Sequence, residues 1–149
     1  MDKAHSFQVK ITVGTPIEIG HTGAGIRRVI PITGGTVEDL DVRGEVLPGG
    51  ADYQLIRNDG VTEVVAHYVI RMDDGELIYV VNKGYRHGPP DIMEKLKLGE
   101  PVPDDAYYFK TTPVFETASE TYQYLNRTIY VGNGIRRPTE VEITFREAT

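Results

Sequence analysis

With 149 residues, 40% of them hydrophobic and 26% charged, the chain is long enough to bury one core and short for two, so a single domain over 1–149 is expected. A formal net charge of -6 with no basic block argues against a nucleic-acid partner, and no apolar run nears the ~20 residues of a membrane helix. The absence of cysteine excludes disulfides and thiolate or iron–sulfur chemistry, and the polar opening Met1-Asp2-Lys3-Ala4-His5-Ser6 has no signal-peptide core, which makes a cytoplasmic protein the default.

Phe7, Val9, Ile11 and Val13 alternate with Gln8, Lys10 and Thr12, the period-two signature of a strand with one buried face. Residues 14–25 are rich in breakers, and residues 26–33 read as a second strand that ends at Gly34-Gly35. Residues 36–40 are weak, and residues 41–47 lead into the corner Pro48-Gly49-Gly50. There a strand can turn within its sheet, because glycine takes dihedrals other residues avoid and proline cannot donate to a ladder. Beyond the corner, Asp52, Gln54 and Ile56 share one face and Tyr53, Leu55 and Arg57 the other, before the turn Asn58-Asp59-Gly60.

A long strand follows, with Val64, Ala66, Tyr68, Ile70 and Met72 on one face and Val65, His67, Val69 and Arg71 on the other. Asp73-Asp74-Gly75 is a hairpin signal, and residues 76–82 return as the partner strand. Residues 84–106 carry prolines at 89, 90, 101 and 103 and read as a lid or binding loop. Within it, Asp91-Ile92-Met93-Glu94 has capping-box spacing for a short helix that Gly99 ends. Strands resume at 107–112, 128–131 and the alternating Val141, Ile143 and Phe145, with a helical turn or broad loop over 115–126.

This pattern predicts an all-β fold of about eight or nine strands with one short helix. An antiparallel barrel is preferred to a sandwich because closure removes exposed edges. One short echo recurs: Gly23-Ala24-Gly25-Ile26-Arg27-Arg28 and Gly132-Asn133-Gly134-Ile135-Arg136-Arg137 each bring two cations beside a glycine turn. It is too short and too widely spaced to be a repeat architecture.

Several segments together carry a family resemblance: Arg28-Val29-Ile30-Pro31-Ile32-Thr33-Gly34-Gly35, Arg43-Gly44-Glu45-Val46-Leu47-Pro48-Gly49-Gly50-Ala51-Asp52, Asp73-Asp74-Gly75 with Ile78-Tyr79, Asn82-Lys83-Gly84, Tyr108-Phe109-Lys110-Thr111, and Tyr124-Leu125-Asn126-Arg127. In consistent order along nearly the whole chain, they resemble the uncharacterised, UPF-class family called domain of unknown function 3237. The resemblance implies a small bacterial or fungal protein with a lipocalin-like β-barrel and brings no agreed activity. Tyr53, where many relatives would have tryptophan, and Lys110, where they would have arginine, keep the aromatic and cationic character.

Asp52 is the leading candidate for proton chemistry, since a carboxyl held inside an apolar barrel has a raised pKa. Glu45, on the other side of the bend, is a second acid, and either can instead cap backbone amides. His67 and Arg71 stand about 13 Å apart on an extended strand and can bracket a ligand without touching each other, or be two exposed positions on an outer face. Tyr79 offers a hydroxyl to a ligand oxygen, and Tyr108 and Tyr124 pose the same choice between lining a cavity and packing. Arg28, Arg86, Asn126 and Arg127 are candidate anion-binding or polar contacts near a cavity mouth, with surface pairing as the alternative.

No His-x-His or His-Glu-x-x-His spacing supports a metal, no Gly-rich loop sits in a phosphate- or dinucleotide-binding context, and no Gly-x-Ser-x-Gly elbow is present. No cofactor is therefore expected. The first expected function is binding of a small, partly apolar, oxygenated or acidic molecule between strands and lid. The alternatives are a cofactor-independent isomerase, cyclase or lyase using Asp52 with Tyr79 or Arg127, and a structural protein that forms a homo-oligomer.

Overall fold

A computed structural model describes residues 5–38 and 43–149. The expected readings over 39–42 and at Met1-Asp2-Lys3-Ala4 lie outside the described residues. Among the described residues ten strands form: β1 (Ser6–Val13), β2 (Ile17–Thr22), β3 (Gly25–Glu38), β4 (Gly44–Val46), β5 (Ala51–Ile56), β6 (Thr62–Met72), β7 (Leu77–His87), β8 (Tyr108–Glu116), β9 (Tyr130–Arg136) and β10 (Glu140–Glu147). One helix, α1 (Pro90–Lys97), follows β7, and a short 3-10 turn (Gln123–Arg127) lies between β8 and β9. No helix among the described residues is long and apolar enough to cross a membrane.

The strands close antiparallel around a ring, β1 through β10, β9, β8, β7, β6 and β4 to β3, which returns to β1. β3 is long enough to have two halves. Its second half lies between β1 and β4, and its first half between β2 and β5. Thus β2 continues the course of β1, and β5 that of β4. The barrel expected from strand count and edge avoidance is the fold observed, with β2 and β5 added to its eight-strand ring.

The Pro48-Gly49-Gly50 corner is the break between β4 and β5. Glu45 lies opposite Arg71 and Asp52 opposite Ala66, so this course advances seven residues while β6 advances five. Two extra residues are taken up at the corner, where Gly49 has φ 107° and a Cβ on Gly50 would lie 2.3 Å from the His67 carbonyl oxygen. Because the insertion is even, the inward row survives it: Gly44 and Val46 before the corner, Asp52 and Gln54 after it.

Three local expectations are corrected. The breaker-rich segment contains β2, whose residues are almost all exposed and so show no buried alternation. The return strand runs on to His87, well into the segment read as irregular. The capping box does not form: Pro89 precedes the helix without a side-chain cap, Pro90 takes the first turn, and Asp91 favours the dipole there instead.

One end of the barrel is packed solid. Phe7, Phe115, Tyr130 and Phe145 meet with ring centroids 5.3–5.7 Å apart, beneath Tyr68, Ile70, Met72 and Ile78. Ile78 is 1% exposed, so Ile78→Val is expected to cost about 1 kcal/mol by urea denaturation.

Candidate functional site

At the opposite end the inward rows turn polar. On β7 the sequence Ile78, Val80, Asn82 and Arg86 points inward at alternate positions, with Gly84 holding the remaining place in the row. Glycine is required there, since a Cβ would lie 2.0 Å from the Lys110 carbonyl oxygen on β8. β5 contributes Asp52 and Gln54, β8 Phe109 and Thr111, and β9 Arg136. Gly134 of β9 leaves the space that the Phe109 ring fills; a Cβ there would sit 2.6 Å from that ring. Phe109 in turn backs the Arg86 guanidinium, whose carbon lies 5.3 Å from the ring centroid.

Together these side chains surround a cavity of about 40 Å³ whose remaining walls are apolar, among them Ile30, Val64, Ala66 and Val141. Asp52 accepts hydrogen bonds from Gln54 Nε2 at 2.8 Å and from the Val65 amide at 3.1 Å. The second bond replaces part of the β5–β6 ladder, which skips Tyr53 and Gln54. Arg86 is 3% exposed, yet its guanidinium has no hydrogen bond or ion pair among the described residues. Gln54 Oε1, Asn82 Oδ1 and Thr111 Oγ1 are also buried without a protein partner. Four unmatched polar groups around one void are unusual, because buried polar atoms are nearly always paired.

Electrostatics follow from this burial. Desolvation pushes the Asp52 carboxyl above its ordinary range, and the Gln54 hydrogen bond, Arg86, the Val65 amide and Arg136 offset only part of that. Burial likewise lowers Arg86 to about 10, against the pull of Asp52. Arg136 is lowered by burial and by Arg28, and Tyr107 is raised by burial while its hydroxyl accepts the Arg136 amide at 2.8 Å. The arrangement is a cationic rim around one carboxyl that resists ionisation, able to hold an anion and to exchange a proton with it.

Of the residues singled out in the sequence, the structure brings together Asp52 and Arg86 at the lumen, with Arg28 beside them at the rim. Arg28 is buried, donating to Glu18 Oε1 at 2.8 Å and to the Lys97 carbonyl at 3.3 Å. Tyr79 is not brought to Asp52: it lies on the outer face, 39% exposed, 2.6 Å from His67 Nδ1, with Tyr53 packed edge-on against that imidazole. Odd positions of β6 and β7 face solvent, so His67 and Arg71 lie outside the lumen too.

Arg71 pairs with Glu45 on the surface through its Nε at 3.0 Å, and that acid does not approach Asp52. Glu45→Gln is expected to change stability by less than about 1 kcal/mol, an effect that 1 M salt removes in a denaturation series. Tyr108 is exposed and stacks on His87 at 4.6 Å, and Tyr124 packs at the apolar end. Asn126 is a brace, exchanging hydrogen bonds with the Thr117 backbone at 2.8 and 3.0 Å, and Arg127 is exposed beside it on the 3-10 turn.

The residues that sequence reading left out are Gln54, Asn82, Phe109, Thr111 and Arg136. Parity carried a signal for the first two, which share faces with Asp52 and Ile78. The paired Gly-x-Gly-Ile-Arg-Arg segments carried another: each sends one arginine, Arg28 or Arg136, to the same rim. Among the described residues no group of three or more His, Asp or Glu side chains is placed to hold a metal ion.

Comparison with known proteins covers nearly the full length. A family model described as "Protein of unknown function (DUF3237)" matches residues 3–148. UPF0311 protein RPA1785 of Rhodopseudomonas palustris is 41% identical over 147 residues, 99% of this chain and 96% of the relative. Its crystal structure has a TM-score of 0.91 at 39% identity, with 98% and 95% of the two chains covered. A protein with unknown function from Clostridium acetobutylicum gives a TM-score of 0.88 at 42% identity, covering 97% of this chain and 95% of its own. A beta-barrel like protein from Acinetobacter baumannii gives 0.82 at 38% identity, covering 95% and 91%.

Proposed function

The chain belongs to the DUF3237 family of proteins of unknown function, and we propose that within it this barrel binds a small oxygenated acid at its polar end. The observation that carries the reading is Arg86, a guanidinium 3% exposed that makes no hydrogen bond or ion pair among the described residues, its acidic neighbour Asp52 being held by Gln54 and the Val65 amide instead. Holding an unpaired cation in a low-dielectric site is costly, and a carboxylate accepting from its fork removes that cost. Around it, Gln54 Oε1 and Asn82 Oδ1 are free acceptors and Thr111 Oγ1 can donate or accept, which suits a hydroxyl or enol on the same ligand.

Thermal shift with a panel of carboxylic acids, each beside its neutral amide, tests this. Acids are expected to raise the melting temperature and amides of the same shape to leave it unchanged. Equal shifts for both, or none for any acid, would reject the reading.

The raised carboxyl of Asp52 favours a second reading, cofactor-independent proton transfer on the bound acid or its enol. Incubating each stabilising compound with the protein in deuterated water distinguishes the two: a binder returns it unchanged, whereas a proton-transfer enzyme leaves deuterium on a carbon atom or converts the compound to an isomer.

A further inference from the structure

We infer that only the acidic head of the ligand sits at Arg86, and that its body lies outside the lumen, in the groove closed by α1, so that the ligand class is a monocarboxylic acid with an extended apolar body. The inference rests on the acid-binding reading of Arg86 and adds where the rest of the molecule goes.

The lumen is too small for anything but the head. At about 40 Å³ it has room for roughly two or three waters. Pockets for whole small molecules run to about 300–1,000 Å³. Arg86, however, has a second side. It also lines a groove of about 460 Å³ between the rim of the barrel and α1, within that range. One guanidinium therefore forms part of the wall of both spaces, and a carboxylate held on it has a tail that points either into a nearly filled lumen or into an open groove.

The composition of the groove selects the tail. Ile26, Ile56, Val61 and Met93 supply apolar surface from β3, β5, the turn before β6 and α1. Asp59, Glu94 and Lys97 also stand on the walls, so a second anionic group on the ligand body meets charges of both signs and gains little against the loss of its own hydration. The helix that forms the roof is tied down, because Arg28 on β3 donates to the Lys97 carbonyl at its last turn. The roof is thus hydrogen-bonded to the barrel wall, and Arg28 is occupied by Glu18 and this carbonyl, which leaves Arg86, of the two arginines lining the groove, as the head's anchor.

Isothermal titration of the full chain with straight-chain monocarboxylates from acetate to octanoate, and with the eight-carbon dicarboxylate, tests this. In the wild type the affinity is expected to rise about three- to four-fold per added methylene once the tail enters the groove, as burial of apolar surface requires. The dicarboxylate should bind at least tenfold more weakly than octanoate. Met93→Gln, a substitution at a half-buried helix position that keeps helix propensity, should lower the octanoate-to-acetate affinity ratio several-fold. An affinity independent of chain length, with acetate still bound and lost in Arg86→Met, would overturn the groove assignment while leaving the acid site standing. Failure of every acid to bind would remove the acid site, and the groove assignment with it.

Discussion

Arg86→Met is expected to give a protein more stable than the wild type by on the order of 3 kcal/mol at neutral pH, and unable to bind carboxylates. The stability side follows from the proton affinity of the guanidinium. Burial lowers it from the ordinary arginine range to about 10, and each tenfold change in proton affinity corresponds to ~1.4 kcal/mol. For a base whose pKa is lower in the folded state, the cost of carrying the charge is fully present below pH 10 and is relieved only as pH rises above it. At neutral pH the whole cost therefore opposes folding.

Methionine keeps the stem as far as the Nε position and offers a polarisable thioether to the Phe109 ring, so the lost cation–π contact is partly replaced, and the space left by the guanidinium head joins a cavity lined by polar groups that water can fill. The same substitution removes a fork at the cavity whose N–H groups have no hydrogen bond among the described residues. Stability gained with binding lost is the signature of a group retained for a ligand rather than for the fold. Urea denaturation at pH 7 and titration with the acids that stabilise the wild type check both halves. A loss of stability would show that the guanidinium is held by the barrel, and would count against the acid site.

The sequence carried the row structure of this barrel better than its inside and outside. Alternation in β1 and at Val141, Ile143 and Phe145 is readable because buried and exposed residues differ in polarity there. On β6 both rows are apolar, Val64-Ala66-Tyr68 against Val65-His67-Val69, so parity grouped the residues without saying which group met the core. Parity places Asp52 with Gln54, as the barrel does, whereas Tyr79 and His67, which look like site chemistry, belong to the outer row. The rim escaped notice for another reason. Arg28, Asp52, Arg86 and Arg136 come from four strands spread over more than a hundred residues, and only ring closure, a long-range event, sets them side by side. β2 was missed because a strand paired on one side and exposed on both faces leaves no hydrophobic period to read.

Asp52→Asn is expected to abolish the pH dependence of acid binding and to remove a pH-dependent loss of stability. In the wild type, burial raises the carboxyl above its ordinary value. For an acid shifted this way the folded state holds its proton more tightly than the unfolded state, so stability falls as pH rises from the unfolded value through the folded one, and the deficit persists at neutral pH. The asparagine variant lacks that decline and should be the more stable protein above the window, equal to the wild type below it.

Its hydrogen bonds survive the change: Oδ1 can accept from the Val65 amide, and Nδ2 can donate to Gln54 Oε1, which has no partner in the wild type. Binding follows the same sign. An acid seated on Arg86 places a second negative charge beside Asp52, faced otherwise only by the cations Arg86 and Arg136, and so favours the protonated carboxyl. Wild-type affinity should therefore fall by up to about tenfold per pH unit above the Asp52 pKa, with uptake of a proton on binding. Affinity in Asp52→Asn should stay level over the same range. A wild-type profile as flat as the variant's would place the ligand away from Asp52. A level variant profile, with carbon deuteration present in the wild type and lost in the variant, would identify Asp52 as the group that moves the proton.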